Sequence, residues 1–412
     1  MKRLTDALHL GARVFVAGLS TESALWLSEL RADPERASGV HFMGVQFPGI
    51  DTADYLGIHP TASATAFFMS PAVRAGIAQG RAELLSLDYP GIARHLRDMP
   101  PVDVAVAQLS LPDADGYCSA GLASDFLPLV WDRAARRVAH LNPRMPRTRG
   151  SFRVHLSALE TVIEADAPLL EFNDSAGGEL EARIGAHIAT LVHDGDTLQF
   201  GIGSVPSALA ASLTGHRRLK LHSGMVSPSM RTLWESGALD RDARITTGVA
   251  LGTASFYDFV AAQQNLWFTD VTRTHDVTAI AATPRFMAIN SAVEVDLFGQ
   301  VNSERAGGAI QTGAGGLPAF AQGALASPGG RSMICLASTA RGGSVPRIVA
   351  ALGDKALCTL PRYLADVVVT EHGVAELRGS GLDTRAAALI GIAAPEHRDA
   401  LAAQWDAMRR TL

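Results

Sequence analysis

Short apolar runs alternate with amphipathic stretches along most of the chain. Residues 13–18 (RVFVAG) read as a buried strand, and a helical pattern follows from Glu22 to Leu30. Residues 40–45 (VHFMGV) and 102–110 (VDVAVAQLS) predict further strands. Strands separated by helical stretches point to parallel α/β layers, not to an all-β or bundle architecture. The most polar break without periodicity is the run from Glu171 to Gly178, after which an amphipathic helix begins near Glu179. A domain boundary is placed there, giving domains 1–178 and 179–412. A faint repeat supports the cut: Gly11 and Gly195 each open a strand, and each strand leads to a Ser-Ala-Leu triplet, at Ser23 and Ser207. The interval between the two glycines equals that between the two serines (195 − 11 and 207 − 23). The expectation is two tandem open α/β domains of similar fold.

Composition narrows the class. Of 412 residues, 47% are hydrophobic and 19% charged, which excludes intrinsic disorder and supplies material for real cores. The net charge is −5 and the basic runs are short, so a nucleic-acid surface is not expected. No uncharged apolar run reaches the roughly 18 residues of a membrane span. The first residues carry Lys2 and Arg3 but no apolar segment of the kind a signal peptide has. Three scattered cysteines, Cys118, Cys335 and Cys358, suit a reducing compartment, so a cytoplasmic protein is expected.

Three segments could carry chemistry. Residues 198–209 (LQFGIGSVPSAL) run from a strand through Gly201 and Gly203 into a helix with Pro206 near its start. Glycines admit close backbone approach, and a helix N-terminus offers N–H donors to an anionic or carbonyl ligand. As a bare pattern this is equally a tight βα turn, since the third glycine of a dinucleotide fingerprint is missing. Residues 311–318 (QTGAGGLP), before a helix pattern from Ala319 to Leu325, form a second cradle of the same kind, or simply a flexible loop. Residues 287–302 alternate, placing Ile289, Ser291, Val293, Val295 and Leu297 on one face and Asn290, Glu294 and Asp296 on the other. Glu294 and Asp296 could act as an acid/base pair or merely form a solvated face. No zinc-protease, Cys-x-x-Cys, nucleophile-elbow or P-loop pattern is present, so no metal is expected.

At these residues the chain resembles the acetyl-CoA hydrolase/transferase family, which includes the 4-hydroxybutyrate and acetate CoA-transferases. The resemblance runs nearly end to end: residues 112–119 (PDADGYCS) with Ser124 and Asp125, 142–150 (NPRMPRTRG), 154–157 (VHLS), 289–301 (INSAVEVDLFGQV) and 369–379 (VTEHGVAELRG). It implies the CoA-transferase type of fold, with coenzyme A or acyl-CoA as substrate and no permanently bound cofactor. It further implies CoA contacts at Gly201, Ile202, Gly203, Ser204, Val205 and Asn290, and at Gly313, Ala314, Gly315 and Gly316. The basic residue behind the second cradle is Arg331, where the family often has lysine. A small carboxylate or other acyl acceptor and a homo-oligomer, a dimer, are the implied partners. Substrate-side residues are expected at 45–49 and 68–71.

The mechanism implied is an exchange through a glutamyl-CoA thioester. The family's nucleophilic glutamate stands downstream of the Gly-x-Gly loop, in a strand-end segment that residues 219–226 (LKLHSGMV) resemble, and its place is taken by Gly224. His222, Ser223 and Met225 keep the pattern while the carboxylate is gone. Three readings follow: transfer or hydrolysis through water or another carboxylate, acyl transfer to a different bound nucleophile, or CoA binding without catalysis. Gly224 is expected to leave a water-sized hole, His222 and Ser223 to polarise a water or serve the core, and Glu294 to be the best remaining carboxylate near the expected site.

Overall fold

The computed structural model describes residues 2–174 and 177–411; Ser175 and Ala176, in the expected break, lie outside the described residues. The chain forms two compact units. The first comprises residues 1–173, 245–274 and 311–315, and the second comprises 174–244, 275–310 and 316–412. The crossing between 173 and 174 precedes the expected boundary at 178 by five residues (178 − 173). Two later segments return to the first unit, which a single cut does not represent. Their reason is packing: Val271 is buried in the same core cluster as Phe15 and Ala105, and Val249 bridges to Ala123.

The first unit is built on a seven-stranded parallel sheet. Its strands are β1 (Arg13–Val16), β2 (His41–Met43), β3 (Ser63–Ala66), β4 (Ala82–Leu84), β5 (Val104–Leu109), β6 (Arg136–Leu141) and β7 (Thr161–Glu164), in the order β4-β3-β2-β1-β5-β6-β7. Every residue of β5 is buried. Its Val104 and Val106 pack with Trp26, Leu27 and Leu30 of helix α1 (Ala24–Ala32), while Ala105 and Ala107 pack with Ile92 and Leu96 of helix α2 (Tyr89–Asp98). A parallel strand covered on both faces is why this run reads as continuously apolar. Helix α1 starts where the Ser23 hydroxyl accepts the Trp26 N–H at 3.1 Å.

The second unit has a six-stranded sheet. Its strands are β8 (Thr197–Phe200), β9 (Lys220–Leu221), β10 (Phe286–Ser291), β11 (Arg331–Cys335), β12 (Val367–Thr370) and β13 (Gly373–Glu376), in the order β9-β8-β10-β11-β12-β13. Only the last pair is antiparallel. Helices α3 (Glu179–Ala189) and α4 (Ser204–Ser212) pack together, and a side chain at Gly185 would lie 2.9 Å from the Ala208 backbone, so that contact requires glycine.

The repeat is visible in the topology. Strands β1 and β8 begin and end at one common offset (197 − 13 and 200 − 16), the same that separates Gly11 from Gly195. Each also lies between the next strand of its sheet and a later one. The helices depart from the offset. Ala24 would map to residue 208, yet α4 opens at Ser204, because a 3-10 turn at Leu19–Thr21 separates β1 from α1.

Candidate active site

Strand β8 ends at Phe200 and delivers the chain into Gly201, Ile202 and Gly203 before α4 begins. Gly201, Ile202, Val205 and Pro206 line a cavity of about 130 Å³ together with Ile289, Asn290, Ser291 and Cys335 from the ends of β10 and β11. The strand ends of a parallel sheet thus bring the first glycine loop and Asn290 to one place, as the family resemblance implied. A Cβ built at Gly201 or Gly203 meets nothing within 4 Å, so open space stands over both backbones. Gly203 has φ of 107°, a conformation that side chains resist. Its N–H is already engaged, donating to Asp174 Oδ1 at 3.0 Å. The Asn290 amide is oriented by Gln199, donating to its Oε1 at 3.0 Å and accepting from its Nε2 at 3.2 Å. Burial pushes the Cys335 thiol up to about 12, so it stays protonated.

Gly224 is not beside a hole. A Cβ there would lie 2.6 Å from His275 Cε1, and one at Gly316 would lie 2.3 Å from His275 Nε2. The buried imidazole of His275 therefore occupies the space between the two glycines, and the expected water-sized vacancy is corrected to a filled one. The ring also packs 4.5 Å from the Phe320 ring of helix α5 (Leu317–Ala326). Burial, reinforced by the neighbouring His222, pulls its pKa down to about 3, so it is neutral in ordinary buffers. The Ser223 hydroxyl donates to the Phe200 carbonyl at 2.9 Å, tying β8 to the following loop. His222 meets Phe286 edge-on at 5.7 Å. Sequence reading missed His275 because it stands far along the chain from Gly224 and in no recognisable motif.

The second cradle is divided between the units. Gly313, Ala314 and Gly315 belong to the first, where Gly315 O accepts the Tyr89 N–H at 3.0 Å and a Cβ at Gly313 would strike the Phe67 carbonyl at 2.4 Å. Gly316 belongs to the second. Arg331 is engaged by carboxylates: its Nε donates to Asp366 at 2.7 Å, and Glu376 takes another nitrogen. Glu294 and Asp296 are engaged by different partners. The alternating run breaks after Ser291, and Asp296 is a buried turn organiser, accepting N–H groups from Phe298 (3.1 Å), Gln300 (2.8 Å) and Leu352 (3.3 Å). Glu294 accepts from Asn302 at 2.8 Å and lines a different cavity. Among the described residues no cluster of three or more His, Cys, Asp or Glu could hold a metal ion, and no helix is long and apolar enough to cross a membrane.

In the first unit, residues 46–49, 67–68 and 70–73 contribute to the lining of one cavity of about 350 Å³, with Phe47 stacked on Phe68 at 4.5 Å. Asp51 lies in its wall; burial outweighs the N–H groups of Leu19 and Phe47 and raises its carboxyl to about 7. Asp125, from the family-like segment, is also buried, and burial with the nearby Asp270 charge raises it to about 8. A carboxyl raised in the folded state holds a proton that the unfolded chain releases near pH 4, so its stabilisation is lost as pH rises from about 4 to 8. Asp125→Asn should flatten that decline, reducing its slope by up to about 1.4 kcal/mol per pH unit. Denaturant melts of both proteins at pH 5, 7 and 9 check this; parallel curves would refute it.

The chain matches the acetyl-CoA hydrolase/transferase C-terminal domain family over residues 252–405. It is 37% identical to a 4-hydroxybutyrate coenzyme A transferase of Clostridium kluyveri over 345 residues, covering 82% of this chain and 80% of that protein. It is 34% identical to a succinyl-CoA:cyclohexane-1-carboxylate CoA transferase of Geobacter metallireducens, covering 83% and 80%. Among solved structures, RipA from Yersinia pestis superposes with a TM-score of 0.90 at 25% identity, covering 99% and 97% of the two chains. A 4-hydroxybutyrate CoA-transferase from Porphyromonas gingivalis gives 0.82 at 28% identity, covering 100% and 97%. A doubled α/β architecture with a glycine loop at the strand ends is thus that of the CoA-transferases. This chain belongs to the acetyl-CoA hydrolase/transferase family.

Proposed function

We propose that this protein processes acyl-CoA thioesters and passes the acyl group to water or to a second bound acceptor, without a protein-bound glutamyl-CoA intermediate. The observation that carries the reading is the pair Gly224 and His275: the position expected to hold the carboxylate has no side chain, and a neutral imidazole fills its space. Coenzyme A is the substrate, with its pantetheine arm against Gly201–Val205 and Asn290, where the backbone is open. The protein would work in the cytoplasm as a homo-oligomer, which light scattering checks.

The direct experiment follows thiol release from acetyl-, butyryl- and succinyl-CoA with and without a carboxylate acceptor, with mass spectrometry for a CoA adduct. Release without an adduct is expected. A hydroxylamine-sensitive glutamyl-CoA adduct on the unaltered chain would overturn the reading and show that another glutamate attacks. Gly201→Val fills the open space without demanding positive φ and should weaken CoA binding more than about tenfold by calorimetry. Unchanged affinity would remove CoA from this loop.

A further inference from the structure

The polar run from Glu171 to Gly178, read from the sequence as a boundary, lends a side chain to the second unit. Phe172 is still fastened to the first unit, where its N–H donates to the Gly252 carbonyl at 3.0 Å. Just beyond it, Asp174 belongs to the second unit, and its carboxylate joins two segments there. Oδ1 accepts the Gly203 N–H at 3.0 Å, and Oδ2 accepts the Ser229 hydroxyl at 3.3 Å. Gly203 is the cap residue from which α4 leaves the glycine loop. Ser229 is buried in the first turn of the helix Pro228–Glu235, a short step beyond Gly224. The carboxylate thus stands at the N-termini of two helices, where their dipoles favour a negative charge.

Holding Gly203 sets more than one bond. A peptide is planar and trans, so pinning the Gly203 N–H turns the Ile202 carbonyl of the same unit the opposite way. Ile202 and Val205, on either side of the pinned residue, line the glycine-loop cavity. Packing does not hold this turn from above, because a Cβ built at Gly201 or Gly203 meets nothing within 4 Å. Without the carboxylate, water would satisfy the exposed N–H; what would be lost is the orientation of the peptide. The segment that presents Asp174 is itself seated closely on α4. A Cβ at Gly177 would lie 2.9 Å from the Ser204 carbonyl and 3.1 Å from Ala208 Cβ, and the Gly178 N–H donates to Glu181 Oε2 at 2.9 Å.

We propose that Asp174 is a positioning residue of the acyl-CoA site, tying the glycine loop to the segment that follows Gly224 so that the loop is ordered before CoA arrives. The assignment rests on the reading that places CoA against Gly201–Val205. Within it the two duties of the loop are divided. Gly201 and Gly203 admit a close approach, and the order that such bare backbone lacks is supplied from outside by Asp174. A loop fixed in advance loses less freedom when its ligand binds, and the difference appears as affinity.

The test combines calorimetry with CoA and steady-state thiol release from acetyl-, butyryl- and succinyl-CoA, on the full chain. Asp174→Ala should weaken CoA binding and raise KM more than about tenfold, with kcat changed less than about threefold. Asp174→Asn keeps an oxygen for the Gly203 N–H and should stay within about threefold of the wild-type affinity. Ser229→Ala removes only the second bond and should fall between the two. A merely architectural role would lower the melting temperature and the active fraction, and with it kcat, while leaving KM and CoA affinity unchanged. Unchanged CoA affinity in Asp174→Ala, with affinity lowered in Gly201→Val, therefore overturns the assignment and leaves the CoA reading standing. An Asp174→Asn variant as impaired as Asp174→Ala overturns the hydrogen-bond argument. No CoA binding by the wild type, or unchanged affinity in Gly201→Val, overturns the CoA reading and the assignment with it.

Discussion

Gly224→Glu alone should not create a CoA-transferase, although the sequence frame around it resembles the family's nucleophile segment. The new Cβ would sit 2.6 Å from His275 Cε1, and the ring behind it is buried against Phe320 with little room to swing away. Overpacking of this kind costs about 1–3 kcal/mol, and burying an added carboxylate beside a neutral ring costs more. We therefore expect the single variant to be destabilised and to form no CoA adduct. Removing the ring as well, in Gly224→Glu with His275→Ala, vacates the space for the carboxylate. The double variant should show a hydroxylamine-sensitive CoA adduct and carboxylate-dependent exchange at least tenfold above either single variant. Exchange in the single variant equal to that in the double would show that His275 does not obstruct the site.

The acid side of the stability profile should belong largely to the same histidine. The folded protein holds His275 neutral down to about pH 3, whereas the unfolded chain takes up a proton near 6.5. Stability from this group is fully present above pH 6.5 and is lost as pH falls towards 3, at up to about 1.4 kcal/mol per pH unit. Several carboxylates titrate in the same window, so the informative quantity is the difference between the wild type and His275→Asn. The variant, which cannot take up that proton, should lose less stability between pH 6.5 and 4 in denaturant melts. Curves that stay parallel over that range would place the histidine in contact with water or with an acid.

Much of the architecture was legible in one dimension. Strands β1, β2 and β5 and helices α1, α3 and α5 stand within a few residues of where hydrophobic patterning puts them, because a buried parallel strand must be apolar throughout and a covering helix apolar on one side. The repeat that relates β1 to β8 was readable because strand starts are fixed by local turn chemistry. The grouping of Gly201, Ile202 and Val205 with Asn290 around one cavity came from the family resemblance, and strand ends of one parallel sheet place these residues together. The alternation through residues 287–302 misled, because a break after Ser291 resets which side chains face inward and turns Asp296 into a bracket for backbone N–H groups.

The sequence by itself determined the fold class and the family, and it raised the reading that residue 224 lacks the expected carboxylate, since each is written in local pattern or in short contiguous runs. Tertiary structure alone decided what lies against Gly224, which carboxylates engage Arg331, and which cations stand without acids. His275 reaches Gly224 from a distant part of the chain, and Arg305, Arg341, Arg347 and Lys355 come from three separate segments. The physical reason is the same in both cases. Occupied volume and uncompensated charge are properties of a neighbourhood, and neighbours of this kind are chosen by packing, not by spacing along the chain.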